Sequence, residues 1–146
     1  MRIKLLSVGR DRADPAASLV ADYVSRIERF LPVESLVIKT DREDRVAAKM
    51  LKEQGQGRWL VALDDGGEQP TSRGLARIVG AWMDRGLSQV TLVIGGAGGL
   101  PDQVRRNADQ LLSLSKLTLP HRLARLVLVE QLYRALCIIR SVPYDK

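Results

Sequence analysis

The sequence predicts one α/β domain over residues 1–146, with a mostly parallel sheet covered by helices. Two observations lead to it. Short apolar runs alternate with segments of helical periodicity along the whole chain. The runs 59–63 and 90–94 lack polar alternation, as strands covered on both faces do. No internal repeat, low-complexity stretch or linker divides the chain.

Residues 2–8 are a first strand, closed by Gly9. Asp14 is the expected cap of a helix with Pro15 at its first position. Leu19, Val20, Tyr23, Val24, Ile27 and Phe30 recur at helical spacing, and Pro32 helps to end the run. Residues 33–39 are a second strand. Asp41 is the expected cap of a polar helix through Gln54, with Val46, Met50 and Leu51 on one face; Gly55 and Gly57 break it. Residues 59–63 are a third strand, expected to end at Asp64-Asp65-Gly66-Gly67. A helix over 71–85 carries Leu75, Ile78, Val79 and Trp82 as its stripe, with Gly86 at its end. Residues 90–94 are a fourth strand, and Pro101 opens a short helix to about Asn107. Residues 111–114 are a fifth strand, and a last helix spans 121–140.

Composition narrows the function. Lys and Arg outnumber Asp and Glu by 23 to 17, for a net charge of +6, which suits an RNA or phosphate-rich partner without requiring one. The aromatics Tyr23, Phe30, Trp59, Trp82, Tyr133 and Tyr144 are few and scattered along the chain, which argues against a base-stacking platform. One histidine and one cysteine make a zinc site improbable. Cys137 lies among Leu136, Ile138 and Ile139 and reads as a buried small hydrophobe. The apolar runs are too short to span a bilayer and the first residues do not read as a signal peptide, so the cytoplasm is the expected location.

Gly95, Gly96, Gly98 and Gly99 follow a buried strand, where α/β sheets hold ligands. The spacing fits neither a dinucleotide fingerprint nor a P-loop. A tight strand–helix turn without a ligand fits the same residues. The last helix is apolar all round, from Leu123 to Ile139, so it is expected to be buried, partly against a second copy of the chain. Glu130 and Arg134, four apart on it, are either a structural ion pair or the holder of a substrate group. His121 enters the helix after Thr118, the expected cap, and Pro120. A helix start favours neutral imidazole, in a structural or a functional role.

These residues carry a resemblance. LSLSKLTLPH (112–121), RLARLVLVEQLYRA (122–135) and the late Pro-Tyr pair (143–144) resemble the small SPOUT-superfamily ribosomal RNA methyltransferases. The likeness is to those that methylate N3 of a pseudouridine in 23S rRNA. VALDD (61–65) and IGG (94–96) fall where that family has counterparts, and the likeness covers essentially the whole chain.

The resemblance implies a carboxyl-terminal deep trefoil knot and a homodimer in which each active site is completed by the partner. It implies S-adenosylmethionine as cofactor, no metal, and 23S rRNA, in an assembled ribosome rather than DNA, as partner. Carried over by position, Leu63, Gly95, Leu114, Ser115, Lys116, Leu117, Thr118 and Leu119 line the cofactor site. His121, Glu130, Arg134 and Tyr144 are the catalytic candidates. In this reading Arg134 stabilises charge on the base or orients a phosphate, and Glu130 holds Arg134 or bonds the base. Tyr144 closes over the flipped nucleotide, and His121 orients the entrance. Two positions depart from the family. Asp145 stands where a histidine usually follows Pro-Tyr, and an ionised carboxylate cannot donate a hydrogen bond. Gly98 stands where a larger side chain is common. Two alternatives remain: an RNA- or ribosome-binding protein of this fold with impaired catalysis, and a SPOUT methyltransferase for another RNA position.

Overall fold

The computed structural model describes residues 1–9 and 14–144. In chain order its elements are β1 (Arg2–Gly9), α1 (Ala17–Ile27), β2 (Val33–Lys39), α2 (Glu43–Leu51) and β3 (Arg58–Glu68). They continue with α3 (Ser72–Asp84), β4 (Gln89–Ile94), α4 (Asp102–Asn107), β5 (Gln110–Leu112) and α5 (His121–Ile139). The strands pair in the order β2-β1-β4-β3-β5, every pair parallel. The central strand, β4, is buried at every position, as its unbroken apolar run predicts.

Strand side chains alternate between two cores. Ile3, Leu5, Val61, Val90 and Leu92 pack with residues of α1, α3 and α5. Leu6, Val8, Leu60, Ala62 and Val93 pack with Val46, Ala47 and Met50 of α2 and Val104 of α4. Both faces of the sheet are therefore covered.

Several boundaries differ from expectation, each for a local reason. The Asp14 carboxylate accepts the Ala16 N–H at 2.9 Å, which makes a turn ahead of α1 rather than capping its first turn. Asp41 accepts from the Arg42 N–H at 2.7 Å, so α2 begins two residues beyond it. Thr71 caps α3 as its chemistry suggests, accepting from the Gly74 N–H at 3.0 Å. Thr118 does not cap α5, whose N-cap is Pro120 with no side-chain bond.

The largest difference is β3, which continues through Asp64, Asp65, Gly66 and Gly67 to Glu68. A Cβ on Gly67 would stand 2.6 Å from the Leu112 nitrogen. The glycine serves close approach of two backbones, with a register shift that brings both Leu63 and Glu68 opposite Leu112.

Helix α5 crosses the sheet beside α1 and α3. It buries Ala124, Leu128, Val129, Leu132, Ala135, Leu136 and Cys137. On its opposite side the described residues leave Leu123 48% exposed and Ile138 41%.

Candidate active site

The carboxyl ends of β3 and β4, the turn after β4 and the loop after β5 surround a cleft of about 420 Å³. Leu63, Gly95, Leu114, Ser115, Leu117, Thr118, Leu119 and His121 all line it. Lys116 does not; it lies exposed on the outer side of the loop. The loop is braced by its own serines. The Ser113 hydroxyl donates to the Ser115 carbonyl at 3.1 Å, and the Ser115 hydroxyl accepts from the Leu117 N–H at 2.9 Å.

The glycine turn folds tightly on itself. The Gly99 N–H donates to the Gly96 carbonyl at 3.0 Å. A Cβ on Gly95 would stand 2.4 Å from the Gly99 carbonyl carbon and 2.5 Å from the Leu100 nitrogen. Only glycine fits there. At Gly98 a Cβ would meet nothing within 4 Å, so packing does not demand the departure from the family at that position.

Charged groups outside the candidate set also line the cleft: Asp64, Asp65 and Arg105. Arg105 pairs with Asp64 at 3.3 Å and with Asp102. These hydrogen bonds raise its pKa further above the ordinary arginine value. The signal for the two aspartates was their place at the end of an apolar strand, where sheet ligands bind. Their glycine neighbours instead suggest a turn. His121 stands at the border with a second cavity of about 550 Å³, which also touches Gly9 and Asp41. Its Nε2 would lie 3.5 Å from a Cβ on Gly9.

The other three catalytic candidates form a separate cluster. The Glu130 carboxylate accepts from Arg134 at 2.7 Å and from the Tyr144 hydroxyl at 2.8 Å, both on Oε2. The Arg134 guanidinium lies 4.6 Å from the Tyr144 ring centre. The Tyr144 and Tyr23 hydroxyls are 3.3 Å apart. Burial, then the contacts with Tyr23 and Glu130, push the Tyr144 phenol well above its ordinary range. It therefore stays protonated and acts as a donor. The bond to Glu130 likewise raises the Arg134 pKa.

The fold also gathers aromatics that are scattered in the chain. Tyr133 meets Tyr144 edge-on at 4.8 Å between ring centres, and Tyr23 and Phe30 each at 6.1 Å. Arg26 lies 5.2 Å from the Tyr23 ring centre.

The cluster and the cleft occupy different parts of α5. At roughly 1.5 Å per residue, Glu130 lies about 14 Å and Arg134 about 20 Å along the helix from His121. None of Glu130, Arg134 and Tyr144 lines the cleft of its own chain. Asp145 lies outside the described residues.

A family model described as a predicted SPOUT methyltransferase matches residues 1–145. The chain belongs to the SPOUT methyltransferase family. It is 41% identical over 154 aligned positions to a ribosomal RNA large subunit methyltransferase H of Anaeromyxobacter sp. (strain K), with 100% of each chain covered. Proteins of the same description from Syntrophotalea carbinolica and Methylobacillus flagellatus are each 39% identical, covering 99% and 100% of this chain and 98% and 99% of their own. A probable methylase family protein from Haemophilus influenzae shares the fold, with a TM-score of 0.56 and 11% identity. The match covers 99% of this chain and 70% of that one. Membership of a SPOUT methyltransferase family implies a methyl donor, and the cleft is one of two ligand-sized cavities that the described residues form at the strand ends. Among the described residues no helix is long and apolar enough to cross a membrane.

Proposed function

We propose that this protein transfers a methyl group from S-adenosylmethionine to N3 of a pseudouridine in 23S rRNA, acting on the large ribosomal subunit in the cytoplasm. The observation that carries the reading is full-length likeness, at about 40% identity, to relatives described as ribosomal RNA large subunit methyltransferases. The net charge of +6 suits an RNA partner.

The cleft suits the donor. Its volume of about 420 Å³ falls within the range of small-molecule sites, roughly 300–1,000 Å³. Leu63, Leu114 and Leu119 offer apolar contact for an adenine ring. Asp65 offers an acceptor for a ribose hydroxyl, while Asp64 is engaged by Arg105 and by the Gly66 N–H. The tight turn at Gly95 brings main chain up to the bound molecule. In this reading, the segment 113–120 belongs to a deep trefoil knot that holds the loop in place.

S-adenosylmethionine would supply an electrophilic methyl on a sulfonium and leave as the neutral thioether S-adenosylhomocysteine when its S–C bond breaks. The acceptor N3 gives its proton to solvent, and until the N–C bond forms its negative charge is spread over the imide oxygens. Arg134 is placed to meet that charge with a permanent cation. Tyr144, its one hydroxyl proton donated to Glu130, closes over the flipped nucleotide with its ring. Glu130 holds both donors and keeps them aligned, and His121 orients the mouth of the cleft.

The about 14–20 Å between cleft and cluster is the reason to propose a homodimer. A second copy seated on the exposed side of α5 would bring its own Glu130, Arg134 and Tyr144 toward this cleft. The half-exposed Leu123 and Ile138 supply apolar surface for such contact.

The test is methyl transfer from labelled S-adenosylmethionine to ribosomes, free large subunits and naked 23S rRNA, all unmethylated at this position, with mass spectrometry of the nucleosides. N3-methylpseudouridine in at least one substrate is expected, with the assembled ribosome the best. Methylation at another RNA position would reassign the target. Cofactor binding without transfer would favour an RNA-binding protein with impaired catalysis, in which Asp145 replaces the family histidine.

A further inference from the structure

The candidate cluster does not stand alone. Glu130 uses Oε2 for Arg134 and Tyr144, and its other oxygen, Oε1, accepts from the Gln131 amide at 2.7 Å. The Gln131 carbonyl in turn accepts from the Ser72 hydroxyl at 2.7 Å. Ser72 opens α3, whose start is fixed by the Thr71 cap.

The polarity of this chain has only one arrangement. An ionised carboxylate only accepts, so the Gln131 NH₂ must face Glu130. Its carbonyl is then left for the hydroxyl of Ser72. Adjacent side chains on a helix do not normally face each other. Gln131 reaches back to its neighbour, and the bond to a second helix holds it there.

The split of the two oxygens matters. A free carboxylate beside a guanidinium favours a two-point grip with both oxygens. With Gln131 on Oε1, Arg134 and Tyr144 meet the carboxylate together at Oε2. Ser72 and Gln131 also line a cavity of about 320 Å³ with Leu112, Ser113 and Leu114, the strand end and loop that lead into the cleft.

We propose that Gln131, anchored by Ser72, is a positioning residue for methyl transfer: it fixes the Glu130 carboxylate so that Arg134 and Tyr144 are presented together. The inference rests on the reading of Glu130, Arg134 and Tyr144 as the groups that meet the target base.

The experiment compares full-length wild type with Gln131→Met, Ser72→Ala, Ser72→Thr and Glu130→Gln, in ribosome methylation, sedimentation and thermal unfolding. Gln131→Met keeps length and helix preference but removes the amide. It is expected to lower kcat on the order of tenfold, less than the roughly 10²-fold of a full 1 Å misplacement, with the KM for S-adenosylmethionine unchanged. Ser72→Ala lowers kcat in the same way but less, and Ser72→Thr, which keeps the hydroxyl, restores it. If Gln131→Met does not fold, the Ser72 pair decides. Wild-type kcat in Gln131→Met, or equal rates for Ser72→Ala and Ser72→Thr, while Glu130→Gln is impaired, overturns the positioning role alone. A rise only in KM for the cofactor also overturns it, and assigns Gln131 to the wall of the cofactor loop. Full activity of Glu130→Gln removes the site reading and this inference with it.

Discussion

Substituting the glycines after β4 one at a time separates a structural turn from a ligand-binding one. At Gly95 an alanine Cβ would sit 2.4 Å from the Gly99 carbonyl carbon. Ordinary carbon–carbon contact is about 3.5 Å, so the turn must open by about 1 Å. Both close neighbours are backbone atoms and cannot rotate aside. Overpacking of this kind costs about 1–3 kcal/mol, or roughly 3–9 °C in Tm for a chain of this size. A shift of about 1 Å in a positioning element costs on the order of 10²-fold in rate. Gly95→Ala is therefore expected to lose cofactor affinity by at least tenfold in calorimetric titration and to methylate poorly. Gly98→Ala is the internal control. Its Cβ meets nothing within 4 Å and its φ is not positive, so stability should hold or rise by about 0.4–1 kcal/mol. Gly99 has φ 80°, so Gly99→Ala should cost about 1–2 kcal/mol through backbone strain. Wild-type affinity and Tm in Gly95→Ala, or equal losses at Gly95 and Gly98, would refute the reasoning.

Other outcomes follow from the same geometry. Arg134→Ala should lower methylation on the order of 10²-fold while circular dichroism and sedimentation stay as in wild type; full activity removes Arg134 from the mechanism. Leu123→Glu places a charge on the exposed apolar side of α5 and, on the proposed homodimer, should shift sedimentation toward monomer, with activity lost in proportion; a wild type that sediments as a monomer removes the dimer, and a dimer that the charge leaves intact moves the interface elsewhere. Glu53, buried on the α2 side of the sheet, accepts from Lys4 at 2.8 Å and Gln89 at 3.1 Å. Burial alone would raise its pKa, but these bonds outweigh it and the net shift is downward. A lowered folded pKa adds stability above the unfolded value of about 4.3, and that stability is lost as pH falls through the folded value. Glu53→Gln should therefore flatten the acid limb of the stability curve below about pH 4.3, checked by urea unfolding across pH; an unchanged limb would discount the pair.

Much of this fold is legible in the sequence because side-chain period records burial directly. The run 90–94 becomes the central strand, and the helix expected over 71–85 forms as α3 and stops before Gly86. What escapes is information held between distant segments. Gly66-Gly67 resembles a turn until β5 lies against it, because only the approach of Leu112 explains the missing Cβ. Tyr23, Phe30, Tyr133 and Tyr144 look dispersed until α1 and α5 pack side by side. Within the candidate site, carrying over the whole stretch 114–119 includes Lys116, which is exposed and does not line the cleft. No residue pattern joins Ser72 to Gln131, since their meeting depends on how α3 crosses α5.

The order of the strands sets a constraint on biosynthesis. β1 pairs with β2 and β4, and β3 with β4 and β5, but β1 and β3 do not touch. As the chain leaves the ribosome, β1, α1 and β2 can assemble as one parallel unit. The apolar strand β3 then has no pairing partner until residues 89–94 emerge and insert between it and β1. Final assembly therefore waits for β4 and the residues after it, and truncation before β4 leaves the β1–β2 pair and a lone β3, both with open edges. Such edges invite intermolecular pairing, so β4 is the segment whose delayed arrival most exposes the nascent protein to aggregation.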